Sequence, residues 1–301
     1  MTARIIDGRA LAEAYRARIA GRVAAARAAG ARVRLDAVLV ESGDSAARLY
    51  ADNQKRTCEA LGIEYRLHLL PGTAGFDEIA GRVLLLNLDE AVSAIMVHMP
   101  LPEGVDAYRV QRLIAPEKDV EGVNPANIGN IVYGRSSLAP CTALATVRMI
   151  QHTGVELRGR VAVVVGASDV VGKPIALLLM REDATVVSCN KWTPGLEELC
   201  RAADVLVAAA GVPGLIRGEM VKPGAVVIDV GVNRVQGPDG TMRTVGDADF
   251  DAVREVAGWI SPVPGGVGPM TVAMLLTNVA QAAGGWSDAD SGAAISPPSG
   301  H

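Results

Sequence analysis

Apolar residues along this chain gather in short, nearly unbroken runs of strand length. Between the runs lie longer stretches in which apolar positions recur every three or four residues. LDAVLV (35–40), YRLHLL (65–70) and SAIMVH (93–98) are the runs of the first half. An Ala/Arg-rich helix from Gly8 to about Ala29 precedes them; LYADNQKRTCEALG (49–62) and residues 76–88 carry helical spacing between them, and a short helix covers about 106–114. RVAVVV, ATVVSC, DVLVAAAG and AVVIDVG give four more strands, again separated by helical stretches, and a helix over about 269–283 ends the pattern. Buried runs alternating with helices predict parallel strands in an α/β layer structure.

Residues 115–140, APEKDVEGVNPANIGNIVYGRSSLAP, break that rhythm. They are rich in Gly, Pro, Asn and Ser and read as a long loop between two α/β units, of the kind that carries function. CTALATVRMIQHTG (141–154) reads as a connecting helix, which places the domain boundary at about 140–155. The tail WSDADSGAAISPPSGH (286–301) is small, polar and proline-bearing, and is expected to be disordered.

Composition narrows the classes. The chain has 301 residues, 50% hydrophobic and 21% charged, enough for the cores of two medium domains. A net charge of −4 supplies no general attraction to nucleic acid or to an anionic membrane. No window of 18 uninterrupted apolar residues and no export signal is found, so a cytoplasmic protein with no membrane partner is expected. The cysteines, Cys58, Cys141, Cys189 and Cys200, form no CxxC pair, and neither structural zinc nor a disulfide scaffold is expected. Cys58 and Cys200 read as small apolar residues of helices.

Candidate chemistry starts at VVVGASDVVGKP. Its glycines, Gly166 and Gly172, are six apart, unlike the offsets of two and five in GxGxxG. Context carries the signal instead. An apolar strand enters the turn and an apolar helix leaves it, which aims backbone N–H groups and the helix dipole at an anionic group. After the next strand stand Asn190 and Lys191, where NAD sites usually hold a carboxylate. A cation there suits a 2′-phosphate, so NADP is expected over NAD.

ISPVPGGVGPMTVAML, GASDVVGKP, VVIDVGVNR and VGDADF, with MPLP (99–102), PEKDVEGVNP (116–125) and PCT (140–142), resemble the bifunctional methylenetetrahydrofolate dehydrogenase/cyclohydrolase family. The likeness runs over roughly residues 3–283. It implies a two-domain α/β fold: a folate domain (1–140 with 268–285) and a Rossmann-like NAD(P)-binding domain with a parallel sheet (141–267), flanking a cleft. Family members oxidise 5,10-methylenetetrahydrofolate with NAD(P)+, and many then hydrolyse the methenyl product to 10-formyltetrahydrofolate. The resemblance further implies a homodimer through the Rossmann-like domains. It places Gly166, Ala167, Ser168, Val171, Gly172, Pro174, Lys191, Gly211 and Val232 at the cofactor. Tyr50, Pro100, Leu101, Glu121, Pro262, Gly265, Gly266 and Pro269 would shape the substrate site.

The first-half motifs depart from the family pattern. The family's active-site helix reads YVxxK, and an ungapped match through Tyr50 and CEALG puts Gln54 in the lysine slot. Lys55 starts about 100° further round the helix. VQLPLP has become VHMPLP, with His98 for the glutamine; KDVDG has become KDVEG, with Glu121; PCTPxG has become PCTALA. The candidate catalytic residues are therefore Tyr50, Gln54, His98 and Glu121.

Hydride transfer chiefly needs the methylene carbon positioned, because the folate's own nitrogens help expel the hydride. Hydrolysis needs protons moved, and a glutamine cannot move them at neutral pH. The expected activity is thus NADP-dependent oxidation of 5,10-methylenetetrahydrofolate, with cyclohydrolase activity weak or lost. His98, titrating near pH ~6.5 when unperturbed, is either a replacement acid or base or a plain hydrogen-bonding group at a strand end. Two other readings stay open. One is a repurposed paralogue that uses Gln54, His98 and Glu121 for another folate or heterocycle reaction; the other is a non-catalytic folate or nucleotide sensor.

Overall fold

The structure, a computed structural model, describes residues 2–41, 45–135, 138–237 and 240–284. The expected disorder of the tail falls outside them. The chain begins with a two-residue strand β1 (Arg4–Ile5) and helix α1 (Gly8–Ala28). Two compact units follow from the clustering of the backbone, one of them Tyr15–Cys141 with the end of the last helix from Leu275.

That first unit alternates β2 (Arg34–Val40), α2 (Ser45–Ala60), β3 (Glu64–Leu70), α3 (Phe76–Leu88), β4 (Ala94–Val97), α4 (Ala107–Gln111) and α5 (Pro125–Val132). Its sheet is parallel, in the order β3-β2-β4. The central strand β2 is buried along its whole length, which is why its sequence is an almost unbroken apolar run. Val38, Val40, Ile95 and Val97 pack with Ile79, Val83 and Leu86 of α3 as one core cluster. Asp36 lies in that strand and is compensated locally: Arg34 Nη2 and His68 Nε2 reach its Oδ1 at 2.8 and 2.6 Å. Burial opposes its ionisation, yet those two partners outweigh burial and its pKa is lowered.

The stretch 115–140 is not wholly a loop, because α5 stands inside it. Asn124 caps that helix through Ala126 N–H at 2.7 Å, and Pro125 takes its first position. This cap-and-proline start is legible in NPAN, but the surrounding Gly and Asn residues masked it. Lys118 in the same stretch is structural. Its ammonium donates to the carbonyls of Leu86, Asn87 and Asp89 at 3.3, 2.8 and 2.9 Å, at the negative end of α3. Lys118→Met is expected to lower stability by about 1.5–3 kcal/mol, the usual range for hydrogen bonds to a charged group, read as a shift in denaturant midpoint.

The second unit holds α6 (Cys141–His152), β5 (Val161–Val165), α7 (Gly172–Arg181), β6 (Thr185–Cys189), α8 (Leu196–Ala202), β7 (Val205–Ala208) and β8 (Val226–Asp229). A hairpin of β9 (Asn233–Gln236) and β10 (Met242–Val245), then α9 (Phe250–Arg254), β11 (Trp259–Ile260) and α10 (Val267–Ala282) complete the chain's elements. Six of the unit's strands form a parallel sheet in the order β1-β11-β8-β7-β5-β6. Val163, Val165, Leu206, Ala208, Val227 and Ile260 form the centre of its core. Residues 2–14 cluster with this unit, because Arg4 and Ile5 of β1 pair with Trp259 and Ile260.

Candidate active site

Three of the singled-out residues, Tyr50, His98 and Glu121, gather at the C-terminal end of the three-stranded sheet, where ligands of parallel α/β sheets bind, and Gln54 stands one helical turn along α2 from Tyr50. His98 follows β4 directly and is held there by its own N–H, which donates to Val38 O at 2.9 Å. The Tyr50 and His98 rings meet edge-on, with centroids 5.8 Å apart at 86°. On another side the Tyr65 hydroxyl lies 3.4 Å from His98 Nε2. Burial pushes the imidazole down to about 4, so it is neutral at physiological pH and cannot act as an acid there.

Helix α2 turns Ala51, Gln54 and Cys58 inward, at the spacing of one buried helix face. Gln54 is 5% exposed, and neither its Oε1 nor its Nε2 has a hydrogen-bond partner among the described residues. Lys55 points outward, 53% exposed and 3.9 Å from Glu59. The neighbouring lysine has not swung into the vacated slot.

Glu121 is placed by its loop. Ile95 N–H donates to Lys118 O at 2.8 Å, so residues 118–119 run alongside β4. Asp119, fully buried, accepts from Gly122 N–H, Asn124 N–H and Asn127 Nδ2 at 3.1, 2.7 and 2.9 Å. At Gly122 φ is +68° and a Cβ would lie 2.2 Å from the Ala139 carbonyl carbon, so only glycine fits. Asn278 of α10 clasps the same loop through Val120 O and Ala139 O at 2.8 and 3.1 Å. Glu121 Oε2 is buried with no hydrogen-bond partner among the described residues. Burial, then the charge of Asp119, pushes the Glu121 carboxyl up to about 7, with the Val97 N–H partly offsetting them. Burial and then the charge of Glu121 raise the Tyr50 pKa, which keeps that hydroxyl protonated as a donor. Of the expected substrate residues that follow β4, Pro100 is exposed and Leu101 packs on the core cluster of the sheet.

In the second unit, β5 runs into Gly166 at φ +116°, where a Cβ would lie 2.0 Å from Ala209 O. Gly172 opens α7, and a Cβ there would lie 1.8 Å from Gly166 O. The two glycines therefore meet backbone to backbone, which accounts for their offset of six. Ser168 Oγ accepts from Gly172 N–H at 3.3 Å, Ala167 and Val171 are half-buried in the turn, and Pro174 is buried in the first helical turn, where a missing N–H is harmless. Gly211 lies after β7 at φ +69°. Its N–H and that of Ala210 donate to Asp247 Oδ2 at 2.8 and 2.6 Å. Lys191 follows β6, exposed, with its ammonium 5.0 Å from the Trp192 ring centroid, and Val232 is exposed beyond β8.

Pro262, Gly265, Gly266 and Pro269 occupy the turn from β11 into α10. Gly266 is packed against Pro262 O, and Gly8 sits on Gly266 O so closely that a Cβ would lie 1.8 Å from it. Sequence reasoning missed Tyr65, Asn278 and Asp247. Asp247 stood inside VGDADF, whereas nothing in YRLHLL marks Tyr65, whose role comes only from the pairing of β3 beside β2.

Fold and site together define a two-unit α/β protein with a Rossmann-like nucleotide-binding sheet in one unit and a buried polar constellation in the other. Residues 6–121 match the family model described as tetrahydrofolate dehydrogenase/cyclohydrolase, catalytic domain, and residues 140–285 match the NAD(P)-binding domain of the same family. The chain belongs to the tetrahydrofolate dehydrogenase/cyclohydrolase family. It is similar to the bifunctional protein FolD of Polynucleobacter asymbioticus, 46% identical over 94% of this chain and 98% of that one. The bifunctional protein FolD of Bordetella bronchiseptica is 48% identical over the same shares. Among solved structures, the FolD enzyme of Campylobacter jejuni matches with a TM-score of 0.87 at 34% identity, covering 93% of this chain and 98% of that one. The Trypanosoma brucei N5,N10-methylenetetrahydrofolate dehydrogenase-cyclohydrolase, complexed with NADP cofactor and inhibitor, also matches with a TM-score of 0.87, at 37% identity over 94% and 98%.

Proposed function

We propose that this protein oxidises 5,10-methylenetetrahydrofolate to 5,10-methenyltetrahydrofolate with NADP+, and that hydrolysis of the methenyl product is weak or lost. The observation that carries the second half is Gln54, buried in the lysine slot while Lys55 faces solvent. The folate lies on Tyr50, Gln54, His98 and Glu121 of the first unit, and the dinucleotide on the turn after β5.

The residues present fit the dinucleotide. Gly166 and Gly172 leave no room for a Cβ and open the turn at the start of α7, the standard cradle for a pyrophosphate. Lys191 is an exposed cation at the strand end where the ribose is read. When bound, NADP+ supplies the hydride acceptor.

The chain's own residues do the rest. Loss of hydride leaves positive charge spread over N5, the one-carbon unit and N10. Neutral His98 and Gln54 do not repel that charge, and ionised Glu121 stabilises it. Water attack asks for a base. His98 is too weak a base at about 4, and a cation beside Glu121 draws its pKa back toward the ordinary carboxylate range. The product therefore leaves as the methenyl species, to be consumed by a separate hydrolytic reaction.

Following NADPH and methenyl absorbance separately with purified protein tests this reading. Stoichiometric accumulation of both is expected. No NADP+ reduction at millimolar substrate overturns the dehydrogenase assignment, and NADPH without methenyl build-up overturns the loss of hydrolysis. Lys191→Ala is expected to raise KM for NADP+ roughly tenfold, equivalent to ~1.4 kcal/mol, while NAD+ kinetics stay put. The repurposed-paralogue reading draws on three changed residues gathered round Tyr50, and it predicts turnover of another heterocycle in the same assay. We further propose a cytoplasmic homodimer. Among the described residues no helix is long and apolar enough to cross a membrane.

A further inference from the structure

Where the strands of a parallel sheet end, their backbone groups lose their ladder partners, and the loops that follow carry the ligand. In the second unit two buried carboxylates take over three such loops. Asp229, the last residue of β8, accepts through Oδ1 from Gly231 N–H and Asp247 N–H at 3.0 and 2.9 Å. Its Oδ2 accepts from Ala248 N–H at 2.8 Å. Asp247, held in this way and fully buried, reaches back to the loop after β7. Its Oδ2 accepts from Ala210 N–H and Gly211 N–H, and its Oδ1 from Asn233 Nδ2 at 2.9 Å. Glycines make room for both side chains. A Cβ at Gly231 would lie 2.1 Å from Asp247 Oδ1, and one at Gly246 would lie 1.9 Å from Asp229 Oδ2. VIDVGVN and VGDAD are thus two halves of one clasp.

The clasp bears on the turn after β5 through a single peptide plane. Ala209 N–H is still part of the sheet and donates to Val165 O at 2.7 Å, so the chain leaves the sheet between Ala209 and Ala210. That peptide is trans, and a trans peptide points its C=O opposite its N–H. Drawing Ala210 N–H toward Asp247 therefore turns Ala209 O the other way. Ala209 O is the atom against which Gly166 is packed, with no room for a Cβ between them, and Gly166 O is the atom against which Gly172 is packed at the start of α7. Asp247 is buried behind two exposed residues, Ala210 and Gly211, so it acts through the loop and not on a ligand.

We propose that Asp247 is a positioning residue for the dinucleotide: it fixes the backbone of 209–211, against which the turn of Gly166 and Gly172 is seated, and so preorganises that turn for the pyrophosphate. This rests on the reading above that lays the dinucleotide on the turn after β5. Two N–H groups on one carboxylate oxygen make a charge-assisted anchor, and a turn already held in its bound shape loses less freedom when the ligand arrives. The benefit is common to NADP+ and NAD+, which share the pyrophosphate, whereas Lys191 bears on the 2′-phosphate alone.

Asp247→Asn in the full chain tests it. The carboxylate accepts from three donors, whereas an amide of the same shape has one acceptor atom, so its NH2 faces a donor whichever way it turns. Affinities for NADP+ and NAD+, measured by calorimetry well below the thermal midpoint, are expected to fall alike by roughly 10–100-fold, the equivalent of one hydrogen bond to a charged group. Tetrahydrofolate affinity is expected to hold. Combining Asp247→Asn with Asn233→Asp sets the NH2 opposite a carboxylate and leaves the oxygen to Ala210 and Gly211, which should restore both dinucleotide affinities. If Asp247→Asn does not fold, Asn233→Ala decides: it frees one side of the carboxylate, and a loss of roughly threefold for both dinucleotides supports the assignment where no loss overturns it. A lowered midpoint with unchanged dinucleotide affinity would show a side chain that only stabilises the fold, and overturns the assignment. A loss confined to NADP+, or a double variant that folds without regaining affinity, overturns it too. Failure of the unsubstituted protein to bind either dinucleotide overturns the cofactor reading and this assignment together.

Discussion

Gln54→Lys is expected to raise hydrolysis of 5,10-methenyltetrahydrofolate by roughly 100-fold or more, within the range that a positioned acid or base contributes. The substitution lands on the buried face of α2, one turn from Tyr50, so the new amine enters the polar constellation and not solvent. Burial there lowers a lysine pKa toward the range in which it gives and takes protons near neutrality. Glu121, an orphaned carboxyl in the same constellation, offers the ammonium a partner, so the charge is not left alone. Oxidation of the methylene substrate should fall by roughly tenfold, because a cation in that slot opposes the positive charge that hydride loss develops. The ratio of the two activities then swings by about a thousandfold, and the decay of methenyl absorbance with and without NADP+ measures it. If hydrolysis stays at its starting level, the loss of the lysine is not what silences it, and His98 or Glu121 must be the cause.

Much of this could be read from the chain and some could not, for identifiable reasons. The buried strands β2, β5, β7 and β8 were legible because strands covered on both faces need apolar residues at nearly every position. The hairpin of β9 and β10 was not, because its four-residue strands lie largely exposed and leave no apolar run. The pairing of β1 was not legible, because a two-residue strand has no pattern of its own, and its place is set by its partner β11. At the site, the helix and its missing lysine were legible from spacing, since the 100° between Gln54 and Lys55 is a property of any α-helix. The neutrality of His98 was not. Its shift comes from burial beside Tyr65 and Tyr50, neighbours that the sequence separates by 33 and 48 residues. Lys118 shows the converse, a charged residue inside a functional motif whose work is to cap α3.

Glu121→Gln is expected to reduce kcat for methylene oxidation by roughly 100-fold, the usual loss when one preorganised electrostatic partner of a developing charge is removed. The pH dependence gives the sharper signature. The Glu121 carboxyl is held near 7, well above its ordinary range, by burial and by the charge of Asp119. A carboxyl raised in this way favours the folded state when protonated. That stability is fully present below the ordinary carboxylate pKa and is lost as pH climbs through about 7, on the order of 3 kcal/mol in all. Catalysis runs the other way, because only the ionised form stabilises the methenyl cation. In the unsubstituted protein kcat/KM should therefore rise through pH 7 while the unfolding midpoint of the ligand-free protein falls across the same interval. Glutamine keeps the shape and carries no charge at any pH, so the variant should lose both trends at once and be the more stable protein at pH 8. A rate profile that keeps its inflection near 7 in Glu121→Gln would assign the titration to another group. A stability curve that keeps its slope would mean that Asp119, not Glu121, carries the buried proton.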